Sequence, residues 1–317
     1  MLSIHQYISQ ANHALLGAAN AVKTEVVQGS KIKEPDYTLS IVTKFPKLMN
    51  DMWGNVRYGG CFIHQKPYVT MSGGACCEVG DLLVLCRQNV GPDVNPRYNA
   101  ALFQLKRDDH YSSMISPDNK DQLQLYLEWP LFSFGRKYDA GKAYNIEPKT
   151  VTSGAQYMFV NDGPRSPWHY CFNYCGNYPV LYTHSIPGDL MHNNCELSFG
   201  LFLWYFIHWQ TGRPFAPEEE ASTDQWSKLI WDILVNTQNA VIRNANTDIQ
   251  KKHNIGRNNG DFFSFLMSND CMGIIPPSYY DYRKETEKGG IYKFDDNFDE
   301  ENNGEISILF IDVEGVL

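Results

Sequence analysis

The sequence predicts an α/β protein: a mixed central β-sheet flanked by helices in about residues 1 to 150, joined to an acidic, mainly helical part from 151 to 317 that is placed to complete the same domain through its last strand. Three observations lead there. Two segments with one apolar face open the chain. After Gly59-Gly60 the texture changes to short apolar runs punctuated by Gly, Pro and Asn. A further apolar run, Ile306 to Val313, follows an acidic, Asn-rich loop near the end. With 43% hydrophobic and 14% aromatic residues among 317, the chain can bury a sizeable core, which excludes global disorder.

The first helix is predicted over about residues 8 to 27, rich in Ala and Leu and ending before Gly29-Ser30. A second begins near Glu34-Pro35-Asp36, where Pro35 suits a first helical turn. Leu39, Ile41, Val42, Phe45, Leu48, Met49 and Met52 give it one buried face, and Pro46 is expected to bend it or end it early. Strands follow at Cys61 to Ile63, Tyr68 to Met71, Asp81 to Cys86 and Ala100 to Lys106. The turn-rich linker Arg87 to Asn99 makes the last two an antiparallel pair. Gln122 to Trp129 forms a further segment closed by Pro130. Helices are predicted at about 196 to 209 and 224 to 243, separated by the turn Thr211-Gly-Arg-Pro214.

The first twenty residues lack the basic start and continuous apolar run of a signal peptide, so a cytoplasmic protein is expected. The longest apolar run, Leu197 to Trp209, is 13 residues against the roughly 20 needed to cross a bilayer. It reads as a buried helix, and no membrane partner is expected. Eight cysteines without a secretory signal read as buried or half-buried thiols. Cys171 and Cys175 stand near His169 and His184, the residue types of a zinc site, but lack paired CxxC spacing. The net charge of −9 is uneven. Residues 1 to 150 carry 16 Lys/Arg and 14 Asp/Glu, and the remainder carries 11 and 22. Local potential governs attraction to a polyanion, so the acidic total neither excludes a nucleic-acid substrate nor supports one.

The chemistry resides in Glu78-Val-Gly-Asp81 followed by Gln104-Leu105-Lys106-Arg107. Asp81 opens one strand of the predicted hairpin, and Gln104 and Lys106 close the other. Their ends therefore meet. The two-residue period puts Gln104 and Lys106 on one face, with Leu105 on the other. A carboxylate, an amide oxygen and an amine converging at a sheet edge suit phosphodiester hydrolysis. Asp81 would hold Mg2+ or Mn2+, Gln104 would add a carbonyl oxygen, and Lys106 would orient water or stabilise charge on the phosphate. Glu34, at the start of the second helix, is the most economical further carboxylate.

The order Glu34, Asp81, Gln104-Leu105-Lys106 resembles the PD-(D/E)xK, or restriction-endonuclease-like, nuclease superfamily over about residues 30 to 130. Gly80 stands where that pattern has Pro, and Gln104 where it has an acidic residue. Pro35-Asp36 and Pro92-Asp93 read as decoys, because neither leads into an apolar strand. The resemblance implies a nuclease core in residues 1 to 150 with Asp81, Gln104, Lys106 and Glu34 catalytic. Of these, Asp81, Gln104 and Glu34 would bind Mg2+ or Mn2+. It implies nucleic acid as partner, DNA ahead of RNA. Gln122, Gln124 and Tyr126 would run beside the active edge, and Arg107 and His64 would contact phosphate. The GDLL, QxK and QLxLY segments also resemble uncharacterised bacterial defence-associated proteins. That likeness implies an anti-phage or restriction role with partner proteins, and a homodimer is open.

Simpler readings stand beside these. Asp81 and Gln104-x-Lys106 could be the solvated ends of an ordinary hairpin. His64-Gln65-Lys66 could be a polar strand end, and Asn161 to Tyr170 a structural loop. Arg136 and Lys137 could be solvated charges, and Phe199, Phe202, Trp204, Tyr205, Phe206 and Trp209 simply core. Besides an active nuclease, the sequence leaves open a nucleic-acid-binding or sensor module that has lost cleavage, and an interaction protein with no site.

Overall fold

The computed structural model describes residues 3–21, 33–50, 54–63, 67–107, 120–135, 142–149, 154–161, 180–184, 196–244, 247–252, 259–268 and 305–315. It is an α/β fold in which a mixed central sheet is flanked by helices.

Helix α1 spans Ile4–Ala21 and buries Tyr7, Ala11, Ala14, Leu15 and Ala18, the face that a 3.6-residue period aligns. Its start is fixed reciprocally: Ser3 Oγ accepts from Gln6 N at 3.3 Å, and Ser3 N donates to Gln6 Oε1 at 2.9 Å. Helix α2, Glu34–Asn50, has Pro35 in its first turn, and Lys33 N donates to Asp36 Oδ2 at 2.9 Å. Of the two outcomes expected at Pro46, a bend or an early end, the end does not occur: α2 runs on to Asn50. Phe45, Pro46 and Met49 are all buried, and Asn50 ties the last turn to the next strand, accepting from Tyr58 N at 2.7 Å and donating to Tyr58 O at 2.6 Å. Packing and these two bonds outweigh the one helical bond that proline removes.

Strands β1 (Val56–Cys61), β2 (Tyr68–Met71), β3 (Cys76–Glu78), β4 (Leu82–Asn89) and β5 (Arg97–Arg107) follow in order. The strand expected at Cys61 to Ile63, after Gly59 and Gly60, instead runs from Val56 to Cys61 and contains both glycines. A Cβ on Gly60 would sit 2.5 Å from the Ile308 carbonyl oxygen and 2.8 Å from that of Val42, so glycine here is what lets α2 and a neighbouring strand approach. Beyond β5 come α3 (Lys120–Glu128), β6 (Phe132–Phe134), β7 (Ala143–Tyr144), β8 (Ala155–Asn161), β9 (Val180–His184) and β10 (Glu196–Ser198). Helix α4 (Phe199–Ile207) is capped by Ser198 Oγ, which accepts from Leu201 N at 3.2 Å. Then come β11 (Arg213–Phe215), a 3-10 turn at Glu218–Thr223, α5 (Gln225–Asn244), α6 (Thr247–Lys252), α7 (Asn259–Leu266) and β12 (Ser307–Glu314).

The central sheet runs β1-β12-β4-β5-β8-β9-β10, with β11 paired to the start of β5. The β12-β4 and β5-β8 pairs are parallel and the others antiparallel. A second, antiparallel sheet has the order β3-β2-β6-β7. Helices α1, α2 and α4 cover one face of the central sheet, packing on Tyr58, Leu82, Val84, Phe103, Leu105, Leu309 and Ile311. The small sheet, α3, α5 and α7 cover the other, over Leu83, Leu85, Leu102, Ile308 and Phe310. Seven of the eight residues of β12 are buried, as befits a strand covered on both faces.

The second half of the chain is thus less purely helical than its composition suggests, since it contributes β8 to β12. Its last strand lies between β1 and β4, inside the sheet that the first half begins. Among the described residues Cys61, Cys77 and Cys86 are buried free thiols and Cys76 an exposed one. No helix among them is long and apolar enough to cross a membrane.

Candidate active site

The β4-β5 hairpin is present, with Leu82 opposite Phe103 and Gln88 opposite Arg97. Both strands extend about three residues further into the linker than their apolar runs indicate, because backbone pairing continues past the last apolar side chain. Asp81 stands immediately before β4, and its N–H donates to the Phe103 carbonyl at 2.8 Å. The pleat sends Asp81, Gln104 and Lys106 to the face shared by Leu83 and Leu102, under α3. Leu105 joins Phe103 in the core on the other face. The convergence expected from the sequence is therefore real for Asp81 and Gln104. Asp81 Oδ2 accepts from the Gln104 side-chain Nε2 and, at 2.7 Å, from Leu105 N.

Burial is the largest influence on Asp81, and the negative charge of Glu78 the next; together they raise its carboxyl to about 8. Lys106 and the Leu105 N–H pull the other way, and Glu34 adds a smaller upward push. Lys106, Glu78 and Glu34 thus all act electrostatically on one carboxylate. Glu34 does so from the first turn of α2, a helix packed on the opposite face of the sheet.

Gln122 and Tyr126 lie one helical turn apart on α3 and both point inward. The Gln122 side chain, 5% exposed, donates through Nε2 to Gln104 Oε1 at 2.5 Å and to the Glu78 carbonyl at 3.3 Å. Tyr126, fully buried, donates through its hydroxyl to the Val79 carbonyl at 2.8 Å. These two residues hold the segment leading into Asp81. The expected contact of Gln122 and Tyr126 with nucleic acid is not visible in this arrangement, since their polar groups point inside the protein. Gln124, on the outer face of α3, bonds Glu128 at 2.8 Å. The packing of α3 also accounts for Gly80 where the nuclease pattern has Pro. A Cβ there would lie 3.1 Å from Tyr126 Oη and 3.2 Å from the Phe103 carbonyl oxygen.

Two residues near the site were not singled out from the sequence. Glu78, three positions before Asp81 in the same string, acts on Asp81 more strongly than Glu34 does; its closeness in sequence was the available signal. Tyr157 lies opposite Gln104 in the parallel β5-β8 register and sets its ring tilted against that of Tyr126, centroids 5.5 Å apart. Nothing local in the sequence foretells that pairing. His64, Arg136, Lys137, His169, Cys171 and Cys175 lie outside the described residues, as does most of Asn161 to Tyr170. Arg107 ends β5, and His184 ends β9.

The donor set around Asp81 suits a hard divalent cation in type: carboxylate oxygens that repel one another, one of them desolvated. Asp81 Oδ1 takes no hydrogen bond among the described residues. The Gln104 amide, however, presents its N–H end to Asp81 and its oxygen to Gln122. Among the described residues no three His, Cys, Asp or Glu side chains are grouped so as to hold a metal ion.

What the fold and these residues define is an α/β protein with a half-buried acidic centre at the end of a hairpin. Comparison with known proteins adds no relative: no family model, no curated protein and no solved structure matches the chain.

Proposed function

We propose that the protein is a metal-dependent nuclease with a restriction-endonuclease-like core, hydrolysing phosphodiester bonds of nucleic acid, DNA ahead of RNA. The observation that carries the reading is the state of Asp81. Its carboxylate is desolvated and crowded by the charges of Glu78 and Glu34, and the cation of Lys106, two residues beyond Gln104, is its main electrostatic relief. A divalent cation would relieve the same crowding. A single carboxyl whose ionisation is strongly shifted by burial and by neighbouring charges is one mark of a working site.

In this reading Asp81 would hold Mg2+ or Mn2+, with Glu34 and Glu78, whose charges act on it, as the further carboxylates. Such an ion, when bound, would lower the pKa of a water molecule and neutralise charge on the scissile phosphate. Lys106 Nζ donates hydrogen bonds that orient the attacking water or the phosphate oxygen, and its positive charge offsets the negative charge that grows during attack. Gln122 and Tyr126 keep the strand entering Asp81 fixed, so that these groups need little rearrangement. The partners that follow are nucleic acid and, by the likeness of the GDLL, QxK and QLxLY segments, proteins of an anti-phage or restriction system in a bacterial cytoplasm. A second copy of the chain would be needed if both strands of a duplex are cut together.

One observation favours a second reading, a binding or sensor module that no longer cleaves: Gln104 offers Asp81 an N–H where an active nuclease of this pattern offers an acidic oxygen. Cleavage separates the two. Supercoiled plasmid, single-stranded DNA and structured RNA would be incubated with Mg2+ or Mn2+ and with wild-type, Asp81→Ala or Lys106→Ala protein. Metal-dependent cutting lost in both variants is the expected result. Salt-sensitive binding without cutting by the wild type would sink the nuclease reading and leave the sensor.

A further inference from the structure

We infer that Gln104 is a positioning residue and not a metal ligand: its amide is locked with the N–H end toward Asp81, and Gln122 is the residue that locks it. The inference deepens the nuclease reading and rests on it for the cation, but the lock is a property of the chain itself.

The Glu78 carbonyl can only accept a hydrogen bond, and Gln122 Nε2 lies 3.3 Å from it and 2.5 Å from Gln104 Oε1. Gln122 therefore presents its NH2 group to the site. Gln104 must then turn its carbonyl toward Gln122, which leaves its own NH2 for Asp81 Oδ2. Reversing Gln122 would set its oxygen against two other oxygens. The protein avoids this even though Gln122 Oε1 is left buried without a hydrogen-bond partner among the described residues. The inward constraint therefore outranks an unmet acceptor.

Asp81 Oδ2 is consequently committed to two N–H donors, Gln104 Nε2 and Leu105 N, and only Oδ1 is left to face a cation. The Gln104 carbonyl could reach the cation only if both amides turned over together. Oriented donors of this kind fix the direction of a ligating carboxylate without themselves touching the metal.

The test is a measurement of hydrogen-bond direction on the full chain, labelled with 15N and 13C. Trans-hydrogen-bond couplings would be sought from Gln104 Nε2 to the Asp81 carboxyl carbon and from Gln122 Nε2 to the Gln104 side-chain carbonyl carbon, before and after saturation with Mg2+. Both couplings are expected, unchanged by Mg2+. Loss of the Gln104 coupling on adding Mg2+ would show that the amide turns to ligate and would overturn the proposal. In Gln122→Met the Gln104 to Asp81 coupling is expected to weaken, because Asp81 alone then orients the amide; a coupling of unchanged size would overturn the role given to Gln122. Should that variant not fold, the wild-type titration still decides. Calorimetry of Mn2+ uptake by wild type and Asp81→Asn isolates the underlying reading: no Asp81-dependent uptake removes the metal site, while the couplings in metal-free protein continue to decide the lock.

Discussion

Asp312 grips Arg87 with both carboxylate oxygens, Oδ1 accepting from Nε at 2.8 Å and Oδ2 from Nη2 at 3.0 Å, across the parallel pairing of β12 with β4. Asp312 has no exposed surface, and Arg57 from β1 donates to the same Oδ2 at 2.8 Å. One carboxylate thus joins three adjacent strands. The Arg87 guanidinium also lies 5.5 Å above the Phe310 ring, which shields it further. Removing one partner of a buried pair strands the other. Asp312→Ala is expected to cost about 3–5 kcal/mol, read as a lower denaturation midpoint in urea. Arg57→Ala, whose side chain is 52% exposed, is expected to cost about 1 kcal/mol or less.

The carboxyl of Asp81 gives a pH signature with a definite sign. Unfolded, it titrates at about 3.9; folded, burial and Glu78 hold it near 8. Between those values the folded chain keeps a proton that the unfolded chain has released, so this group's contribution to stability declines as pH rises from about 4 to 8. Asp81→Asn keeps the shape and removes the titration. The variant is expected to melt above wild type at pH 9, with the gap closing toward pH 4.5. Melting curves across that range check it, and a constant gap would contradict the shift.

Gly80 is expected to resist substitution because of Tyr126. Gly80→Ala should cost about 1–3 kcal/mol, the usual penalty for forcing an atom into a packed site, since its Cβ meets Tyr126 Oη at 3.1 Å. Tyr126→Phe removes that oxygen along with its bond to Val79. A double-mutant cycle in urea should therefore show the pair destabilised by less than the sum of the single changes.

Asn50 is expected to matter more than an exposed polar residue usually does. Its side chain makes both hydrogen bonds to the backbone of Tyr58, and Asn50→Ala leaves both backbone groups of Tyr58 without that partner. A loss of about 1–3 kcal/mol is expected, measured by urea denaturation. Tyr58 itself is buried and bonded to Tyr7 at 2.6 Å, so the disturbance should also loosen α1, read as faster amide exchange there.

How much of this was legible in the sequence depended on range. The hairpin bearing Asp81, Gln104 and Lys106 could be read because its information is local: alternating residues on two strands and a turn-rich linker between them. Gln122 and Tyr126 were legible as neighbours on one element, but not as inward-facing, since a helix with polar residues at both spacings does not say which face is covered. Glu34 could be placed at a helix start, yet that helix packs on the opposite face, and Glu78 proved to be the stronger influence on Asp81. Parallel pairing was not legible. The register of β12 on β4 and of β8 on β5 joins segments with no short turn between them, and nothing in Ile306 to Val313 names its neighbours. Pro46 and Gly59-Gly60 show a related limit: local propensity weighs against continuing a helix or strand there, and tertiary packing carries α2 and β1 through.

The place of β12 has a consequence for biosynthesis. Its two neighbours, β1 and β4, lie more than 200 residues earlier in the chain, and neither can complete its pairing until the segment through Glu314 has left the ribosome. Until then both strands present unpaired, apolar edges, a template for association with other nascent chains. Contacts so distant along the chain also make closure slow. The protein should therefore lean on holding chaperones during synthesis, and its Asp81 centre, one residue from the β4 strand that β12 flanks, should be among the last parts to take shape.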